Sequence, residues 1–198
     1  MTIEEDKIML RTTEVVTGKN TRFSYLNANE PKPTQDGTRL KYSSSLIIPK
    51  SDVITKEKIE AAIRAAYEEG QSKLKGNGKS VPPLDSLKTP LRDGDAERPD
   101  DPVYANSWFM NANSDKKPKA WDANGNEIID SSELYSGIYG KAVVNFYAYN
   151  THGSKGIACG FEGLQKLRDG EHLGGANITA DIFAEGNDDD DDDDSFLQ

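Results

Sequence analysis

The run Tyr139-Gly-Lys-Ala-Val-Val-Asn-Phe-Tyr-Ala-Tyr149 gathers rings, an ammonium and an amide at alternate positions. Successive side chains of a strand point to opposite faces. One face of this strand would carry Tyr139, Lys141, Val143, Asn145, Tyr147 and Tyr149, and the other Ala142, Val144, Phe146 and Ala148. The second set is apolar and suits a packed core. The first set suits neither a core nor plain solvent. Flat rings beside positive charge match a single-stranded nucleic acid, whose bases offer π-faces and whose linkages are anionic. A strand covered on both faces by protein is the alternative.

Two other stretches offer the same chemistry. Thr38 to Ile48 reads as a strand with Leu40, Tyr42, Leu46 and Ile48 on one face and Arg39, Lys41, Ser43 and Ser45 on the other. Its two cations could meet phosphates or solvent. In Tyr104 to Ala112, Trp108 and Met110 alternate with Ser107, Phe109 and Asn111, so one aromatic points each way. One belongs to a core and the other is a candidate for ligand. Lys155 sits at the turn after the anchor strand.

The elements that must position these residues are mostly strands. Thr12 to Thr17 is β-prone, and Arg22 to Leu26 is a strand with Phe23 and Tyr25 on one face. Asn27 to Gly37, with Pro31 and Pro33, reads as a loop. Lys56 to Ala66 reads as a helix capped by Thr55, with Ile59, Ala62, Ile63 and Ala66 forming a packing stripe. Gly156 to Phe161 pairs with the anchor strand as a hairpin, Leu164 to Gly170 closes the folded part, and Ile178 to Phe183 is a minor docking segment.

Rival chemistries are weaker. Asp93, Asp95, Asp100 and Asp101 could serve a metal-dependent nuclease, but Asp and Pro are also ordinary turn residues. Asp122 to Glu133 partly fits a calcium loop, yet its sixth position is Glu127 where glycine is needed. An Asn124-Gly125 turn followed by a short helix over Ser132 to Tyr135 accounts for it more simply. The single cysteine, Cys159, allows no internal disulfide. No metal site or cofactor is expected.

Nearly all of the net charge of −10 arises in the last eighteen residues, which hold nine acids and no base. The remaining 25 acids of residues 1–180 face 24 Lys and Arg, so an acidic pI does not argue against a nucleic-acid ligand. Asp188 to Asp194 is a run of acids expected to stay disordered. It ends in Ser195-Phe-Leu-Gln198, an apolar tip on a charged tether. Such a tail could compete for the protein's own basic groove and offer Phe196 and Leu197 to a partner. An acidic-tail interaction protein that does not bind DNA is the third reading. The acidic N-terminus lacks the pattern of a signal peptide, and no stretch reaches membrane-spanning length.

Several separated blocks carry a family resemblance. Lys41-Tyr-Ser-Ser-Ser-Leu-Ile-Ile-Pro-Lys-Ser-Asp52, Pro90-Leu-Arg-Asp-Gly-Asp95, Tyr135-Ser-Gly-Ile-Tyr-Gly140, Val144-Asn-Phe-Tyr-Ala-Tyr-Asn150, Lys155-Gly-Ile-Ala-Cys-Gly160 and Gln165-Lys-Leu-Arg-Asp-Gly-Glu171 occur in that order. Together they resemble a bacteriophage family of single-stranded-DNA-binding proteins of OB-fold type, long catalogued as of unknown function. The resemblance implies a mainly β chain, a five-stranded OB barrel with an added helix; the long loops of residues 70–103 depart from a minimal OB domain, and a disordered acidic tail is expected to follow. Residues 1–11 would be a flexible lead-in, 12–180 the binding domain and 181–198 the tail. It also implies a non-catalytic coat for single strands in phage replication or recombination, in the cytoplasm of the infected host. Replication or recombination proteins would be the tail's partners. The resemblance carries a DNA role onto Tyr139, Lys141, Tyr147 and Tyr149, while pattern alone nominates Arg39, Trp108 and Phe109. Lys41, Asn145 and Lys155 complete the candidate set.

Overall fold

A computed structural model describes residues 9–174. Its strands are β1 (Glu14–Val16), β2 (Thr21–Pro33), β3 (Leu40–Pro49), β4 (Arg92–Asp93), β5 (Ser107–Ser114), β6 (Lys119–Trp121), β7 (Tyr139–Thr151) and β8 (Ser154–Arg168). The helices are α1 (Val53–Glu69), α2 (Gln71–Lys75) and the one-turn α3 (Gly94–Glu97). Strands β7, β2, β3, β5 and β8 pair in succession, and β8 pairs again with β7, so five strands close into a ring. Every pairing in the ring is antiparallel except that of β5 with β8. The remaining strands attach at the margins, β1 on β7, β4 on β5 and β6 on β8. This is the mainly β, five-strand arrangement that the sequence blocks implied.

Alternation puts one face of each ring strand inside. Phe23, Leu46, Ile48, Met110, Val144, Phe146 and Phe161 are buried there, and this burial drives closure. Helix α1 contributes the stripe Ile59, Ala62, Ile63 and Ala66 to the same core.

Several boundaries differ from the sequence reading. The expected loop over residues 27–37 is largely strand, because β2 and β3 extend as a hairpin with Lys32 opposite Lys41 and Pro33 opposite Leu40. Pro33 sits at the strand's end, where its missing donor costs little. On that arm Leu40 is exposed, and it does not share the burial of Leu46 and Ile48. Helix α1 begins earlier than expected, and its cap is Asp52: the Thr55 amide donates to Asp52 Oδ1 at 3.1 Å and the Thr55 hydroxyl to Oδ2 at 2.7 Å. A carboxylate thus takes the capping role first given to Thr55. The loop over residues 70–103 holds α2, β4, α3 and 3-10 turns. Strand β8 runs to Arg168, so residues 164–168 are sheet. The docking segment expected at Ile178–Phe183 lies outside the described residues.

The hairpin arm is closed by Asp36, whose carboxylate accepts from the Thr34 and Thr38 hydroxyls and the Thr38 amide. These bonds hold its pKa down to about 2. A carboxyl depressed on folding adds stability above its unfolded pKa and loses it as pH falls through the folded value. Asp36→Ala should therefore lower the melting temperature at neutral pH. The gap to the wild type should close between about pH 4 and about pH 2; a gap independent of pH would contradict the assignment.

Candidate nucleic-acid interface

Strand β7 alternates as its composition dictates, with Ala142, Val144, Phe146 and Ala148 buried. Of its outward rings Tyr147 is the most open, at 40% exposure. Its partner across the ladder is Ala158 and its diagonal neighbour is Gly160. Neither side chain is large enough to cover a phenol ring. Partial burial raises the Tyr147 pKa.

Register carries the outer face around the ring. Ser43 pairs with Asn113, Asn113 with Gly160, and Gly160 with Asn145. The Asn27 amide extends the row from β2 by donating to Ser43 Oγ at 3.1 Å. Amide and hydroxyl groups therefore form a shallow polar band across the strands. The cations stand beside it: Arg39 Nη2 donates to both Asp115 oxygens at 3.1 and 3.0 Å. Lys41 Nζ donates to Asn113 Oδ1 at 3.3 Å and lies 3.8 Å from Asp115. The charges of Asp115 and Arg39 both act on the Tyr147 hydroxyl. The fold thus unites Arg39, Lys41 and Tyr147, which are distant in the chain.

Other candidates stand apart from this cluster. Asn145 lies on the band, but its Oδ1 accepts from the Thr13 hydroxyl at 2.9 Å. With Tyr147, Arg11 and Lys73 it lines a hollow of about 300 Å³. Tyr149 and Lys155 lie toward the hairpin tip, where Lys155 Nζ approaches the Lys75 carbonyl at 3.5 Å. At the opposite end of β7, Arg168 and Arg22 lie over the Tyr139 ring at 4.0 and 5.0 Å. Its π-surface is already engaged by the protein's own cations. Lys141 makes no ion pair and no side-chain hydrogen bond among the described residues.

Of the two aromatics of β5, Phe109 needs revision. Phe109 is fully buried, with Ile47 and Tyr104, in a second small core on the outer side of the sheet. The segment carrying β4, α3 and Tyr104 folds over this part of the sheet, so Phe109 presents no face to a ligand. Trp108 is half-buried against the main core, and Lys50 and Lys56 lie over its ring at 4.9 and 5.2 Å. Phe196 and Leu197 lie outside the described residues.

Tyr25 is the aromatic that sequence reasoning misplaced. Strand β2 shifts register between Ser24 and Asn27, and Tyr25 takes a left-handed φ of 47°. The irregularity turns the ring out, to 62% exposure, rather than in beside Phe23. Tyr25 borders two hollows. One, of about 320 Å³, includes Ser43, Ser45, Arg98 and Asn111; the other, of about 250 Å³, includes Tyr104, Ser136 and Gly174. The local signal was the mixed Tyr-Leu-Asn-Ala run, which breaks simple alternation.

The acidic loop is committed elsewhere. Lys50 Nζ bridges Asp93 and Asp95 at 2.8 and 2.7 Å, and these bonds lower both carboxyl pKa values. Asp93 also caps α3, and Asp101 accepts from the Val103 amide. Asp122 likewise accepts from the Asn124 and Asn126 amides of its own turn. Among the described residues, no cluster of three or more His, Cys, Asp or Glu is placed to hold a metal ion.

A family model described as Enterobacter phage Enc34, ssDNA-binding protein, matches residues 13–196. The chain belongs to this family. A relative named putative protein p50, from Acyrthosiphon pisum secondary endosymbiont phage 1, is 28% identical over 168 residues, 81% of this chain and 87% of the relative. The single-stranded DNA-binding protein of bacteriophage Enc34, solved in complex with ssDNA, shares the fold. Its TM-score is 0.70 at 22% identity, over 83% of this chain and 91% of that one. Gp2.5, a single-stranded DNA binding protein encoded by bacteriophage T7, is more distant: TM-score 0.57 and 15% identity, over 93% and 98% of the two chains. No described helix of the Enc34-family chain is long and apolar enough to cross a membrane.

Proposed function

We propose that this chain binds single-stranded DNA without strong sequence preference and coats it during phage replication or recombination, in the cytoplasm of the infected host. The observation that carries the reading is the exposed Tyr147 ring beside Arg39 and Lys41, on a polar band that crosses the ring of strands. Such a surface offers stacking to any base and charge to any linkage. Family membership supports the same ligand. Tyr25 and the hollow beside Arg98 extend the path along the face of β3 and β5. The acidic tail competes with DNA for this surface and recruits partners through Phe196 and Leu197. Gly174, the last described residue, lines a hollow beside Tyr25.

Fluorescence titration of labelled single and double strands at two salt concentrations tests the reading. Single strands should bind more tightly at both, and equal binding of both forms would defeat it. Each phosphate neutralised on a single strand contributes a slope of about −0.7 in log affinity against log salt. Because Lys141 is free of ion pairs among the described residues, Lys141→Ala should flatten the slope by roughly that amount. An unchanged slope would remove Lys141 from the path.

A further inference from the structure

We propose that Asp115 is a built-in substitute for a backbone phosphate, which holds Arg39 and Lys41 in register and must be displaced when a strand binds. The inference rests on the single-strand-binding reading and concerns how that surface is regulated. Arg39 directs one guanidinium nitrogen at both carboxylate oxygens, at 3.1 and 3.0 Å. Phosphate oxygens would compete for the same donor. Lys41 completes the arrangement at 3.8 Å, held on its other side by Asn113. The group is accessible: the side chains of Arg39 and Asp115 are 61% and 58% exposed. Asp115 follows directly on the end of β5 at Ser114, and Tyr42 of β3 pairs with Ser114, so the sheet fixes the carboxylate opposite the cationic arm. Asn113, which holds Lys41, pairs with Gly160, and the Tyr147 ring borders that same glycine, so the cluster adjoins the ring proposed to stack on a base.

The consequence is a muted electrostatic response. A phosphate that replaces Asp115 loses its own counterions, but the freed carboxylate takes up cations from solution. The exchange therefore adds little net ion release, in contrast to Lys141, which has no ion pair among the described residues. Removing the Asp115 charge restores that release and strengthens binding, most at low salt, where exposed charges are least screened.

The test is a double-mutant cycle on the full chain, titrated with labelled oligo(dT) over a range of salt. Asp115→Asn should bind more tightly than the wild type at low salt and converge with it at high salt. Its slope should steepen by about 0.7, the contribution of one phosphate. In an Arg39→Ala background the same substitution should give a smaller gain, because only the more distant Lys41 is left to release. Three outcomes would overturn the proposal: an unchanged slope, weaker binding by Asp115→Asn, or an equal gain with and without Arg39. The last would reveal general repulsion by a nearby acid. If the wild-type chain itself fails to bind oligo(dT), the proposed function fails first. Matching thermal melts for all four proteins confirm that folding is not the variable.

Discussion

Tyr147→Ala should weaken binding to oligo(dT) by roughly five- to 150-fold, the equivalent of about 1–3 kcal/mol for one lost base stack. The salt slope should stay as it is in the wild type, because stacking neutralises no phosphate. Tyr147→Phe should retain most of the affinity, since the ring carries the contact. The ring is 40% exposed, with only Ala158 and Gly160 beneath it on β8, so truncation leaves the core intact and thermal melts should match. Affinity and slope falling together would mean that Tyr147 acts by placing Arg39 and Lys41 instead. Wild-type affinity in Tyr147→Ala would move the stacking site elsewhere, with Tyr25 the next ring to test.

One residue earlier the expectation reverses. Phe146→Ala should destabilise the fold by about 3–5 kcal/mol, measured as a lower urea midpoint at unchanged m. Phe146 is 1% exposed and belongs to the main core with Ala148, Ile157 and Phe161. It pairs with Cys159 across the seam where β8 returns to β7. Domains of this kind are stable by only about 5–15 kcal/mol in total, so the loss is a large share. At temperatures where the variant remains folded, its DNA affinity should be near that of the wild type. Neighbouring positions on one strand thus separate stability from binding, because alternation sends one side chain inward and the next outward. A loss below about 1 kcal/mol would show that the closed ring tolerates a cavity at its seam.

Much of the strand plan was readable without coordinates. The period-two pattern of Ala142, Val144, Phe146 and Ala148 named the buried face of β7, and the stripe on α1 named its packing side. The Asn27–Gly37 segment was misread because two prolines suggested a loop, whereas the arm ends at Pro33 and keeps its ladder. Phe109 and Tyr25 were misassigned for opposite reasons. Alternation said only that Trp108 and Phe109 point to opposite faces; Phe109 lies on the outer one, where a distant segment folds over it and makes a second core. A register shift in β2 turned Tyr25 out where alternation would have kept it inside.

What the amino-acid order decided alone is the set of local choices: which positions of each strand are apolar, where α1 presents its stripe, and where the rings and cations lie along the chain. Those depend on side-chain type and on backbone periods of 2 and 3.6, which act over a few residues. Only the tertiary structure decided which of those groups meet. Ser43, Asn113, Gly160 and Asn145 form one band, and Arg39 reaches Asp115 near Tyr147, because ring closure and ladder register bring together residues far apart in the chain. Register is a property of paired strands, so no single segment contains it.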